Sequence, residues 1–203
     1  MQLFAPRLAF VDLETTGMRA AADRITEIGV VTVDADPGGG PARVAQWATL
    51  VDPEVPIPPE IQAMTGITDA MVRRAPTFSS IAADLARQLD DRVFVAHNAR
   101  FDHGFLKHAF ERVGQPFRTR PLCTVKLSRR LYPGADGHGL DAVIARHSLE
   151  VAERHRALGD AMALWQFVQA IYATLDPQDI ANEVRRILRI PSLPPQLAAD
   201  ALD

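Results

Sequence analysis

Three strand-patterned runs fall within the first 53 residues, and beyond them strand patterns alternate with helical ones. That order narrows the fold more than any other feature of the chain. "RLAFVDL" sets four apolar residues, Leu8 to Val11, in a row without a turn former, the mark of a buried strand. "RITEIGVVTVD" (24–34) is rich in Ile, Val and Thr and runs into "ADPGGGP", where glycines and prolines impose a turn. "RVAQWATLVDP" (43–53) then completes an antiparallel meander. Further on, "RVFVAHN" (92–98) reads as a fourth strand, and "PLCTVKLSRRLYP" as a fifth strand followed by a short helix. Helical patterns separate and follow these strands: "SSIAADLARQLD" with a serine at its cap, "ARFDHGFLKHAFERVG" ended by Gly114, "LDAVIARHS" and "LGDAMALWQFVQAIYATL". "PIPPEIQAMTGITDAMVRRAPTF" is expected to form short turns. The predicted class is α/β, a mixed five-stranded sheet with the meander first, parallel strands later, and helices on its faces.

Composition sets the outer bounds. A chain of 203 residues with 47% hydrophobic content can bury one core without staples. One cysteine, Cys123, excludes an intramolecular disulfide and a multi-cysteine zinc site, so a reducing compartment, the cytoplasm, is the expected setting. No stretch approaches a membrane span, and the start of the chain lacks the regions of a secretory leader. A net charge of −3 gives no broad basic footprint for nonspecific DNA coating.

Against that background the carboxylates stand out. "FVDLETTG" places Asp12 and Glu14 where the first apolar run stops; residues two apart on a strand share a face, so both acids aim together while Leu13 turns back into the core. Such a pair repels unless it is solvated, protonated or bound to a cation. A D-x-E pair is weak by itself, since Asp52 and Glu54 repeat it in a prolyl turn; what distinguishes the first is the buried strand before it and the "TTG" after it, with Gly17 permitting a turn. In "VAHNARFD", Asp102 falls on the first turn of a helix, where the helix dipole alone would explain an acid. If the fourth strand lies beside the first, Asp102 also arrives at the sheet edge that holds Asp12 and Glu14. "HRALGDA" adds His155 and, at another helix start, Asp160.

Taken together, "FVDLETTG", "AHNARFD" and "HRALGDA", with "ITEIG", "MTGITDAMV" and "HGLDAV" between them, resemble the DEDDh (DnaQ-like) exonucleases, the family that includes the proofreading epsilon subunit of bacterial DNA polymerase III. The similarity covers residues 7 to 173. It implies an RNase H-like fold, two divalent metal ions, Mg²⁺ or Mn²⁺, and stepwise 3′-to-5′ removal of nucleoside 5′-monophosphates from DNA ends, single-stranded or frayed. By position, Asp12, Glu14, Asp102 and Asp160 are the implied metal ligands and His155 the implied general base; Arg156 stands where a tyrosine-type relative would carry its tyrosine. Hard divalent cations prefer oxygen ligands, and two of them would move the net charge from −3 to roughly +1. A neutral histidine can accept a proton near pH 7. The loop-like surroundings of His155 predict a segment that orders when substrate closes the site. His97, the rival base, reads as a strand-end structural residue.

The same resemblance points to Thr15, Thr16, Met64, Thr65, Asn98 and Phe101 as substrate contacts, with Arg100, Arg129, Arg130, Arg154 and Arg156 as candidate phosphate partners. Trp165, Phe167 and Tyr172 have the spacing of a packed helix, and the other histidines read as surface or capping residues. Residues 1–175 are expected to form the exonuclease domain and 176–203 a C-terminal helix with a proline-containing linker or tail. Expected partners are DNA 3′ ends, with RNA ends as the alternative, and a DNA polymerase catalytic subunit or a fused C-terminal GIY-YIG nuclease domain. Two competing functions are an RNA-trimming 3′-5′ exoribonuclease of the same superfamily and a catalytically silent polymerase-recruiting module.

Overall fold

The structure, a computed structural model, describes residues 3–189. Its centre is β1 (Arg7–Thr15), which pairs antiparallel with β2 (Ile25–Asp34); β2 in turn pairs antiparallel with β3 (Arg43–Leu50). On the other side β1 runs parallel to β4 (Val93–Ala96), and β4 parallel to β5 (Arg120–Cys123), giving the order β3-β2-β1-β4-β5. This is the mixed five-stranded sheet, meander then parallel strands, that the sequence predicts.

The continuous apolar run of β1 follows from its place. A central strand is covered on both faces, so successive residues serve two different cores. Leu8 and Phe10 join Val31, Val33, Leu164, Trp165 and Phe167 on one face; Ala9, Val11 and Leu13 join Ile28, Val30, Leu85, Phe94, Phe105 and Phe110 on the other. Each such large side chain contributes about 1.5–3 kcal/mol through burial. The alternation then carries Asp12 and Glu14 onto the face of Leu8 and Phe10. That face is covered by α7 (Ala157–Thr174), whose ring of Trp165 lies 5.6 Å from that of Phe10. The opposite face holds α3 (Phe78–Leu89) and α4 (Arg100–Arg112).

Several local expectations change. The segment read as turns holds two short helices, α1 (Pro59–Thr65) and α2 (Asp69–Val72); Pro58 and Pro59 sit at the start of the first, where proline's missing N–H costs nothing. The serine cap expected for α3 is not used: the helix begins at Phe78, with Thr77 at the cap position and its hydroxyl bonded to that of Ser79. The helices α5 (Thr124–Leu131), α6 (Leu140–His147) and α8 (Pro177–Leu188) complete the described chain. Asp176 caps α8 by accepting from the N–H of Gln178, and Ile180 and Val184 are buried in the α7-side core. The proline-rich linker or tail expected near the C-terminus lies outside the described residues from 190 onward. Among the described residues no helix is long and apolar enough to cross a membrane.

Candidate active site

Strand pairing brings the sequence-distant acids to one end of the sheet. Asp12 and Glu14 stand near the C-terminal end of β1, opposite Gly29 and Glu27 of β2. The parallel ladder between β1 and β4 reaches Phe10 and Val95, and β4 then leads through His97 and Asn98 into α4, whose first turn carries Asp102. Asp160 comes from the first turn of α7, which lies across the same face of the sheet as Asp12 and Glu14. Carboxylate oxygens of Asp12, Glu14 and Asp160 all lie within 4.8 Å of one another. Asp102 stands outside that close triad. It is 2% exposed, and its negative charge acts directly on Asp12.

The electrostatics are those of a crowded anionic pocket. Burial pushes Asp12 well above the usual carboxylate range, and the charges of Asp102, Asp160 and Glu14 push in the same direction. Glu14 is raised to about 7, first by burial, then by Asp160 and Glu27, with Arg154 and Arg156 opposing. Asp102 is also raised by burial, although N–H groups of its own residue and of Leu13 favour its ionised form. Three oxygen donors converging from mutually repelling carboxylates, Glu14 and Asp160 buried and Asp12 half-buried, are a donor set for a hard divalent cation. The residues present therefore fit the metal that the family resemblance implies.

Residues outside the acid set position α7, and the sequence reading did not single them out. Glu27, 4% exposed, accepts from the Nε and Nη2 of Arg156 and from the N–H of Ala157 at 2.9 Å, so one buried carboxylate anchors the beginning of the helix that supplies Asp160. Gly29 allows that approach, because a methyl group there would overlap the backbone of Ala157. Both residues lie in the "ITEIG" stretch, whose alternation marks a strand but does not reveal that a helix terminus rests against it. Gly17, expected to permit a turn, has an ordinary φ; a side chain there would instead overlap the carboxylate of Asp23.

His155 is exposed, in the turn just before α7, with a left-handed φ of 58°. Neither of its ring nitrogens joins the close acid triad. The surrounding loop is tied at several points: Glu150 and Gln166 exchange two hydrogen bonds, Arg154 bridges Asp141 and Asp160, and Arg156 holds Glu27. His155 is thus presented between two anchored arginines. Arg154 and Arg156 are committed to these pairs, and Arg130 to Glu183, which revises their reading as open phosphate partners. His97 hydrogen bonds through Nδ1 to the hydroxyl of Thr124 at 2.9 Å, and burial lowers it to about 4, so it is held neutral as a structural residue.

The candidate substrate contacts divide by what their side chains already do. The hydroxyl of Thr15 donates to the carbonyl of Gly17, that of Thr16 accepts from the N–H of Arg24, and that of Thr65 both donates to Ile61 and accepts from Ile67. Those three hydroxyls close turns. Met64 is 54% exposed, Asn98 is exposed at φ 61°, and Phe101 is half-buried against Phe105. Two histidines read as surface or capping residues are instead packed against aromatic rings: His103 against Phe94 and Phe117, and His147 between Tyr132 and Phe167.

A family model described as "Exonuclease" matches residues 9–167, the span that contains every acid of the site. The chain belongs to this exonuclease family. The DnaQ-like resemblance agrees with it: the DNA polymerase III subunit epsilon of Treponema pallidum is 34% identical over 165 residues, 80% of this chain and 74% of that protein. A 3′-5′ exonuclease DinG of Staphylococcus haemolyticus is 38% identical over 75% of this chain, and a putative bifunctional exonuclease/endonuclease of Mycobacterium tuberculosis is 37% identical over 89%. The chain spans only 17% and 28% of the length of those two relatives. Among solved structures, Exonuclease X in complex with 5′-overhanging duplex DNA superposes with a TM-score of 0.63 at 27% identity, over 87% of this chain and 99% of that one. Exonuclease I superposes with a TM-score of 0.76 at 18% identity, over 88% of this chain and 43% of that one, a likeness of fold, the RNase H-like exonuclease arrangement.

Proposed function

We propose that this exonuclease domain removes nucleotides from 3′ ends of DNA, single-stranded or frayed, and releases nucleoside 5′-monophosphates. The observation that carries the reading is the convergence of Asp12, Glu14 and Asp160 oxygens within 4.8 Å from two separate elements, with buried Asp102 behind them. Asp12, Glu14 and Asp160 would hold divalent cations, Mg²⁺ or Mn²⁺, with Asp102 completing the set. When bound, such ions supply positive charge and Lewis acidity at the phosphodiester. His155 acts as general base, accepting a proton on an imidazole nitrogen as water attacks phosphorus and the bond to the 3′ oxygen of the preceding nucleotide breaks, that oxygen taking a proton from solvent to become the 3′-hydroxyl of the shortened strand. Arg154 and Arg156 support that role by fixing the residues on either side of His155. Met64, Asn98 and Phe101 offer the terminal nucleotide side chains that are not committed elsewhere, and Thr15, Thr16 and Thr65 shape the loops around it.

The direction of cleavage is supported by the name of the staphylococcal relative, a 3′-5′ exonuclease, and the choice of DNA by the DNA-bound Exonuclease X structure. Association with a polymerase catalytic subunit is supported by the name of the Treponema relative. The mycobacterial relative's name specifies no type of endonuclease, so a fused GIY-YIG domain forms no part of the proposal. The proposal assigns catalysis to residues 1–175, with α8 docked on that unit, and places the protein in a reducing compartment, the cytoplasm, on the strength of its lone half-buried Cys123.

The test is product analysis on matched 5′-labelled DNA and RNA single strands with Mg²⁺ or Mn²⁺. Stepwise shortening from the 3′ end with release of 5′-monophosphates, faster on DNA and abolished by Asp12→Ala, is the expected result. Preference for RNA would transfer the assignment to RNA trimming. Full turnover by Asp12→Ala, or no cleavage of either polymer, would overturn it.

A further inference from the structure

A second cavity beside the sheet lies away from the acids. It lies beneath the opposite, N-terminal ends of the three parallel strands, lined by Arg7 at the start of β1, Asp91, Arg92 and Val93 at the start of β4, and Arg118, Thr119 and Arg120 leading into β5, and it encloses about 530 Å³. Five residue steps along extended β1 separate Arg7 from Asp12, about 16 Å along the strand. Four guanidinium groups therefore share one concave surface remote from the acids.

The neighbouring carboxylates do not balance them. Arg7 and Arg92 both bond Asp34, which Arg43 also approaches, and Arg7 reaches Asp91 at 3.3 Å. Arg118 and Arg120 make no ion pair and no side-chain hydrogen bond among the described residues. Two residues of the same lining also hold a buried polar atom without a partner. Arg92, whose side chain is 8% exposed, has an Nε without a hydrogen-bond partner, and the hydroxyl of Thr119 is likewise buried and unpartnered. Both atoms lie behind the cavity surface, so the exposed guanidinium groups of Arg118 and Arg120 are what a ligand meets, and they suit one with several acceptor oxygens.

We propose that this cavity binds the phosphate group of a nucleotide, with Arg118 and Arg120 as its contacts. Guanidinium forks match tetrahedral oxyanions in geometry as well as in charge, and a volume of this size accommodates a mononucleotide. The inference does not depend on the exonuclease reading. Phosphate oxygens reach such a site either on a free nucleotide or as part of a nucleic-acid backbone.

The experiment titrates the full chain, with excess chelator present to prevent turnover, using inorganic phosphate, dTMP and a short single-stranded oligonucleotide. Binding is read by calorimetry and by the shift in melting temperature. Wild-type protein is expected to bind phosphate and dTMP, and the exposed pair of changes Arg118→Ser and Arg120→Ser to weaken both by about tenfold or more. The pair Arg118→Lys and Arg120→Lys, which keeps the charge and removes the guanidinium forks, is expected to weaken them several-fold and reports independently should the serine variant fold poorly. Arginine-dependent binding of the oligonucleotide but not of dTMP would identify the backbone as the source of the phosphate. If the wild type binds none of the three probes, or binds them no better than both variants do, the site does not exist.

Discussion

Replacing Glu14 by glutamine should make the metal-free protein more stable while abolishing its chemistry. Glu14 is 8% exposed, and its carboxyl is raised from 4.5 to about 7 by burial and by the charges of Asp160 and Glu27. Below pH 4.5 the group is protonated in both folded and unfolded chains and contributes nothing. Between 4.5 and 7 the folded protein keeps a proton that the unfolded chain releases, so stability falls as pH rises, and above 7 the whole penalty is present. The interval corresponds to about 3 kcal/mol at about 1.36 kcal/mol per pH unit. For a domain of this size that converts to roughly 6–12 °C in melting temperature. The measurement is a pair of calorimetric melts in chelator for wild type and Glu14→Gln, at pH 8.5 and at pH 5. The variant should melt higher at pH 8.5, the gap should shrink below about 1 kcal/mol at pH 5, and Mg²⁺ should stabilise only the wild type appreciably. A variant that melts no higher than wild type at pH 8.5, or a gap that survives acidification, would refute the picture of acids held in electrostatic opposition.

Other consequences follow from the same geometry. Glu27→Ala removes the carboxylate that holds Arg156 and the Ala157 N–H; a loss of about 2–4 kcal/mol in urea unfolding is expected, with activity falling because Asp160 rides on the released helix end. Gly29→Ala should cost about 1–3 kcal/mol by forcing β2 and α7 apart, measured by thermal melting alongside rate, and unchanged values for both would show that the contact is not tight. His155→Ala, at an exposed turn, should leave the melting temperature within about 1 °C of wild type yet lower the single-turnover rate by about 100-fold or more; an unaltered rate would remove it from the proton transfer.

The parts legible in the sequence are those governed by local pattern. The run from Leu8 to Val11 marked a strand covered on both sides, and its alternation placed Asp12 and Glu14 on one face and Leu13 on the other. The order of strand and helix patterns was sufficient for the mixed sheet. Short-range chemistry was harder to read: Thr15, Thr16 and Thr65 were expected to contact substrate, but their hydroxyls bond within the protein, and Pro58 and Pro59 begin a helix where a turn was expected. Arg154 and Arg156 looked available until their partners, Asp141 and Glu27, were in view, because an arginine's partner is set by chain segments up to 129 residues away.

By itself the sequence determined which residues could bear the chemistry, since residue type and strand periodicity are properties of the local chain. Only the tertiary structure decided which of them meet. The parallel pairing of β4 with β1 and the seating of α7 against Gly29 and Glu27 bring Asp102 and Asp160 to Asp12 and Glu14. The reason is physical: the acids repel one another, so nothing local draws them together, and it is the burial of two apolar cores on either side of β1 that holds them in place.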